Sequence, residues 1–178
     1  KNKITFIHPP KTGGTPIEYL LYMHEYKKKL YNINHPKLHL KILLGGFINK
    51  YYNLYNITDG LQHLDAKMIK KIYPNFFNKF YKFGTVRNPF SRTVSMYNEL
   101  VMHNSVLRDY YKIQGNLDFK KFLFLLLYNK DIHTHHKPLV SFFKKSDLNY
   151  LIKLENFKRD LEFVIKKFKI KNYKILNP

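Results

Sequence analysis

Cysteine is absent from the 178-residue sequence. That excludes disulfides, thiolate metal sites and cysteine nucleophiles, and allows a reducing compartment without requiring one. Acidic residues are scarce: 12 Asp plus Glu face 32 Lys plus Arg, for a formal charge of +20. No apolar run approaches the roughly 20 residues that a membrane span needs; the longest, Phe122 to Tyr128, is far shorter. What is present is apolar and aromatic material, 44% and 17% of the chain. That is too much for a disordered polypeptide and enough to bury a core. The length fits one domain over residues 1–178. The sequence opens at Lys1, almost directly on a predicted strand, which leaves room for an upstream signal or anchor.

The basic excess is nearly all lysine, 28 Lys against 4 Arg. Lys, Asn, Ile, Tyr and Phe run high together, so a solvated basic surface and an anionic partner (a ligand, a nucleic acid or an acidic polymer) both remain open. The arginines say more than the lysines. Arg87 and Arg92 share one short segment, and the planar guanidinium suits phosphate.

Along the chain, Lys3–His8 reads as a short buried strand ended by Pro9-Pro10. Thr12-Gly13-Gly14 is a tight loop, and Thr15 is a predicted helix N-cap with Pro16 at the first position and Glu18 completing a capping box. That helix is expected from Pro16 to about Lys29. Tyr31–Asp59 reads as loop with a short helix around Lys37–Leu44. A short helix is predicted over Asp65–Ile72, a strand over Tyr81–Val86, and a helix over Phe90–His103 with Phe90, Val94, Tyr97 and Val101 as its apolar stripe. Asp118–Tyr128 is an apolar helix capped by Asp118, and Lys130–Pro138 a His-rich loop. A strand over Tyr150–Leu154, a helix over Phe157–Phe168 with Phe157, Leu161, Val164 and Phe168 on one face, and a last strand over Asn172–Leu176 complete the pattern. Strands alternating with helices predict an α/β domain with a mostly parallel sheet flanked by helices. Ligands of such sheets sit outside the carboxyl ends of the strands.

Two segments follow a predicted strand and open a helix. Pro10-Lys11-Thr12-Gly13-Gly14-Thr15 has the parts of an anion cradle: glycines that bring backbone N–H groups close, a helix N-terminus behind them, a lysine and two hydroxyls. It is not a Walker A loop, because the lysine precedes the glycines. An ordinary strand–helix turn with an exposed lysine is the alternative. In the second segment Arg87 sits at a strand end and Pro89 starts a helix, on which Ser91 and Ser95 share a face. Arg87 with Ser95 can hold a phosphate by charge and hydroxyl together; a capped helix with surface arginines is the alternative.

Phe6-Ile7-His8-Pro9-Pro10-Lys11-Thr12-Gly13-Gly14-Thr15 resembles the 5′-phosphosulfate-binding loop of sulfotransferases, and Arg87-Asn88-Pro89-Phe90-Ser91-Arg92-Thr93-Val94-Ser95-Met96-Tyr97 resembles their 3′-phosphate-binding motif. The type is the carbohydrate sulfotransferase group that includes the heparan sulfate O-sulfotransferases. Gln62-His63-Leu64, Lys137-Pro138-Leu139 and Leu154-Glu155-Asn156 add weaker similarities, so the resemblance spans most of the chain. It implies a P-loop-like fold, the donor 3′-phosphoadenosine-5′-phosphosulfate with 3′-phosphoadenosine-5′-phosphate as product, and a hydroxyl acceptor, most naturally a glycan. It implies that Lys11 contacts the phosphosulfate and stabilises the leaving phosphate. Thr12, Gly13, Gly14 and Thr15 would supply surrounding donors, and Arg87 and Ser95 would grip the 3′-phosphate. Related enzymes are often Golgi-lumenal. The chain is short for the family and lacks the cysteines of its secretory members.

Sulfuryl transfer needs an acceptor oxygen in line with the departing phosphate, charge balance on the transferring oxygens, and a group to take the acceptor's proton. Histidine is the usual proton acceptor. Of the 9 histidines, His63 is the expected base, because it lies between the two motifs just before a predicted helix, where the related enzymes often carry one. A loop or cap histidine is the alternative. Asp65 is expected to cap that helix, and His8 to be structural. Glu155 is read as an acceptor-site group or a polar strand end. His133-Thr134-His135-His136 invites a metal reading, but the donor chemistry needs no metal, and a flexible loop at the acceptor mouth is expected instead. The rivals are another nucleotide-dependent transferase, such as a small kinase, and a non-enzymatic nucleic-acid-binding domain; no nucleic-acid partner is expected.

Overall fold

The computed structural model describes residues 3–25, 63–102 and 105–170. Strand β1 (Ile4–Ile7) leads through a tight loop into helix α1 (Thr15–Glu25). Helices α2 (Ala66–Ile72) and α3 (Pro74–Lys79) precede β2 (Tyr81–Val86), which feeds the long helix α4 (Pro89–Met102). Then come α5 (Ser105–Tyr110), α6 (Phe119–Tyr128), a short 3₁₀ turn over Thr134–His136, β3 (Tyr150–Lys153) and α7 (Phe157–Lys167). The three strands form a parallel sheet in the order β1-β2-β3, with Ile7 opposite Gly84 and Val86 opposite Lys153. The carboxyl ends of β1 and β2 therefore open on the same edge, and both motifs leave from it.

Alternation along the strands loads both faces of the sheet. On one face Phe83 and Ile152 pack with Ile17 and Leu20 of α1 and with Phe157, Leu161, Val164 and Ile165 of α7. On the other, Ile7 packs with Leu64, Ala66, Ile69 and Phe77 from the α2–α3 segment. Each such large side chain contributes about 1.5–3 kcal/mol on burial. The strand expectations agree with the structure to within a residue or two at each end. The caps at Asp65 and Asp118 are present: each carboxylate accepts the backbone N–H three residues on, from Met68 and Lys121. The predicted elements over 31–59 and 172–176, and the end of the first helix beyond residue 25, lie outside the described residues.

Three local expectations need correction. Helix α1 begins at Thr15, so Gly14 takes the cap position, its carbonyl accepting from Glu18 N at 2.9 Å. The Glu18 carboxylate accepts from His8 Nδ1 at 2.8 Å. The apolar stripe of α4 is rotated: Phe90 is 81% exposed and Val94 47%, while Arg92, Met96 and Leu100 form the buried row. Met96 and Leu100 pack with Leu107 and Phe122 in a separate helical cluster, and this contact sets the rotation. The His-rich segment does not hang free as a flexible loop: His133, His135 and His136 are all buried.

Candidate active site

The loop after β1 is pinned from several sides. Lys11 and Gly13 both have positive φ, 63° and 76°, a conformation that glycine adopts freely and lysine only under constraint. At Gly14 a Cβ would sit 2.0 Å from His8 Cδ2, so the His8 ring requires glycine there. Thr12 is fully buried. Its hydroxyl donates to Pro9 O at 2.6 Å. A carbonyl can only accept, so the hydroxyl of Thr85 is the donor in the 2.6 Å bond between the two threonines. Thr12 thus ties the loop to β2, which corrects the expectation that its hydroxyl is offered to an anion. Thr15 is exposed at the start of α1.

The second segment begins where β2 ends. Asn88 Oδ1 accepts from Phe90 N at 3.0 Å and Ser91 N at 3.2 Å, capping α4, with Pro89 at its first position. The Glu155 carboxylate accepts from Asn88 N and braces the turn from the end of β3, so Glu155 here has a structural partner. Arg87 Nε donates to Ser91 Oγ at 3.2 Å, and its Nη1 makes a long contact of 3.5 Å to Lys11 O. Arg92 is only 4% exposed. Its Nε donates to Pro10 O at 3.0 Å and its Nη2 to His135 O at 3.4 Å. Burial, helped by Arg87, lowers its pKa to about 10, which leaves it charged at neutral pH.

Between the loop and α4 lies a cleft of about 450 Å³ lined by Lys11, Arg87, Ser91, Val94, Ser95, Asn98 and Glu99. Cations and hydroxyls dominate the polar part of this wall, the donor set that phosphate and sulfate groups require. Glu99 is the exception. Its Oε1 lies 3.8 Å from Lys11 Nζ and its Oε2 3.6 Å from His135 Nδ1. Burial pushes its carboxyl up, but His135, Lys11 and His136 outweigh that and hold it below the ordinary value.

His63 stands behind this wall, in a cluster of buried imidazoles. Its ring meets His8 edge-on at 4.7 Å and His135 at 5.0 Å, between centroids. Its Nδ1 donates to His8 O at 2.8 Å, so a neutral His63 carries its lone pair on Nε2. Burial first, then His8, pushes its pKa down to about 3. Burial also lowers His136 to about 3 and His133 to about 4. His63 borders a separate cavity of about 80 Å³ with Asp65, Met68, Thr134 and Lys137. Among the described residues, no group of three or more His, Asp or Glu side chains is placed to hold a metal ion.

Of the residues singled out in the sequence, Lys11, Arg87 and Ser95 come together around one cleft. Gly13 and Gly14 shape the loop at its edge, Thr12 is spent internally, and His63 lies in the histidine cluster on the other cavity. Sequence reasoning missed Glu99, Arg92 as a structural clamp, and His135. Glu99 had a signal: it lies four residues beyond Ser95 and eight beyond Ser91, so the helix face already marked by the serines carries it into the cleft. His135 had none, because its burial depends on packing against His63 and His133.

A family model described as the sulfotransferase family matches residues 1–175. No curated protein and no solved structure matches the chain. With nearly its whole length matched, the chain belongs to the sulfotransferase family, whose members take the sulfuryl group from 3′-phosphoadenosine-5′-phosphosulfate. The parallel sheet flanked by helices agrees with the P-loop-like fold of that family.

Proposed function

We propose that this member of the sulfotransferase family sulfates a hydroxyl of a carbohydrate, in the manner of the heparan sulfate O-sulfotransferases, within the single domain of residues 1–178. The reading rests on one observation: the Lys11 loop and the Arg87–Ser95 helix start, 76 residues apart at Lys11 and Arg87, border a common cleft. When bound, the donor supplies the sulfuryl group and the phosphate that departs from it.

Lys11 faces the phosphosulfate and offsets the charge that grows on the leaving oxygen. Gly13, Gly14 and the start of α1 present backbone N–H groups to the same end. Arg87, oriented by Ser91, grips the 3′-phosphate with Ser95, and each charge-assisted bond is worth about 1.5–3 kcal/mol. Arg92 does not touch the ligand; it holds Pro10, and with it Lys11, against α4.

His63 takes the proton of the acceptor hydroxyl on Nε2, the nitrogen left with a lone pair by the bond to His8 O. Its lowered pKa keeps it unprotonated at neutral pH. The imidazolium formed on transfer is costly in a buried site, and the anionic donor nearby offsets that cost. Thr134 and Lys137 flank His63 and offer polar contacts to the acceptor's hydroxyls as it reaches the phosphosulfate end. No helix among the described residues is long and apolar enough to cross a membrane.

The test is ligand stabilisation followed by turnover. 3′-Phosphoadenosine-5′-phosphate should raise the melting temperature saturably and by clearly more than AMP, which lacks the 3′-phosphate. Equal shifts would overturn the roles of Arg87 and Ser95. Labelled donor should then pass to glycans in a panel of glycans, tyrosine peptides and small alcohols; transfer to the non-glycan acceptors alone would overturn the acceptor class.

A further inference from the structure

A carboxylate is the wrong group to find in the wall of a cleft built for a polyanion. Glu99 reaches that wall from the same helix face as Ser91 and Ser95, and its Oε1 lies 3.8 Å from Lys11 Nζ. Its Oε2 is buried without a hydrogen-bond partner, and so are both ring nitrogens of His135, although Oε2 and Nδ1 are only 3.6 Å apart. A small closure of that gap, with one proton between the two atoms, would satisfy both.

We propose that Glu99 is a proton-coupled counter-charge for Lys11: as Lys11 turns its ammonium to the phosphosulfate end of the donor, the Glu99–His135 pair takes up one proton. The inference deepens the donor-site reading above and rests on it. Lys11 cannot fully serve the donor and Glu99 at once, since both are anionic. With the lysine engaged elsewhere and a polyanion beside it, a charged and unpaired Glu99 is repelled as well as desolvated. One proton on the pair removes that repulsion, whether it resides on Oε2 or on the imidazole.

The surroundings favour the pair as the site of uptake. Among the described residues, the strongest influences on Glu99 come from Lys11 of the loop and from His135 and His136 of the 3₁₀ turn, and His63 and His133 also feel its charge. Arg87 lines the same cleft. Arg92 is bonded to His135 O and His63 and His133 pack on the His135 ring. Before any acceptor gives up a proton, burial holds His63, His133 and His136 neutral near pH 7, which disfavours them as sites of uptake on nucleotide binding. Lys11 and Arg87 are already cations. Glu99 and His135 are what remains.

The test is titration calorimetry with 3′-phosphoadenosine-5′-phosphate at one pH near neutrality, in two buffers of contrasting ionisation enthalpy. Wild type should take up about one proton more than Glu99→Gln, a difference in which the nucleotide's own phosphate titration cancels. Above pH 7 the wild-type affinity should weaken with rising pH, by up to about tenfold per unit. Glu99→Gln should bind with little pH dependence and at pH 8 at least as tightly as wild type. Equal proton counts in the two proteins, or a flat wild-type affinity above pH 7, would overturn the proposal. The wild-type pH series stands on its own if Glu99→Gln does not fold. No binding of the nucleotide to folded wild type would instead overturn the donor site itself.

Discussion

Replacing Arg92 with methionine tests whether the donor loop is held from behind. Arg92 is 4% exposed, and its guanidinium donates to two backbone carbonyls on separate segments, Pro10 O at 3.0 Å and His135 O at 3.4 Å. Methionine fills much of the same volume and donates nothing, so both carbonyls lose a charged donor. Losses of this kind cost about 1.5–3 kcal/mol each, and the longer contact belongs at the low end. Relief of the burial cost that lowers the Arg92 pKa to about 10 offsets part of the total. The expected net loss is about 3 kcal/mol, or a fall of about 6–12 °C in Tm for a chain of this length. Because Pro10 is joined directly to Lys11, the variant should also lose most of its stabilisation by 3′-phosphoadenosine-5′-phosphate. Arg92→Lys should fall between the two, since one ammonium cannot span both carbonyls. Circular dichroism melts with and without nucleotide measure both effects. A Tm within about 2 °C of wild type, with nucleotide stabilisation retained, would refute the clamp.

Lys11→Ala should leave the Tm nearly unchanged, because the side chain is partly exposed and pairs only loosely with Glu99, yet lower kcat by at least about 10²-fold; a radiolabel transfer assay measures this. Arg87→Ala should weaken 3′-phosphoadenosine-5′-phosphate by roughly 10–100-fold while AMP affinity stays put, as competition binding would show. His63→Ala should cut turnover by about 10²–10⁴-fold with nucleotide binding preserved; unchanged turnover moves the base elsewhere. Acid should destabilise the fold through the histidine cluster. His63 and His136 are pushed down to about 3 and His133 to about 4, from an ordinary value of 6.5. The stability tied to these neutral rings is complete above pH 6.5 and is lost as pH falls toward about 4 for His133 and about 3 for His63 and His136, at up to about 1.4 kcal/mol per pH unit for each ring. Urea unfolding at pH 7 and pH 5 should show the drop, and His136→Phe should make it shallower.

The features legible in the sequence are those set by neighbours along the chain. Strand β2 follows from Tyr81–Val86 alone, and the caps at Asp65 and Asp118 follow from a carboxylate placed before a helix. The meeting of the two motifs also follows from topology, because parallel neighbours bring both strand ends to one edge. What escaped depends on packing at long range. The rotation of α4 is decided by Leu107 and Phe122, which draw Met96 and Leu100 inward and leave Phe90 outside. Thr12 looks like a ligand hydroxyl until Thr85, on another strand, claims it. His136 looks like part of a polar loop until Tyr111 stacks on its ring and Phe122 meets it edge-on.

The central claim is that one nucleotide bridges the loop at Gly13 and the guanidinium of Arg87. A crystal structure of the chain with 3′-phosphoadenosine-5′-phosphate tests it most directly. The 5′-phosphate is predicted against residues 11–15 and the 3′-phosphate within hydrogen-bond reach of Arg87 and Ser95. A nucleotide bound outside this cleft, or bound with its 3′-phosphate away from Arg87, would contradict the account.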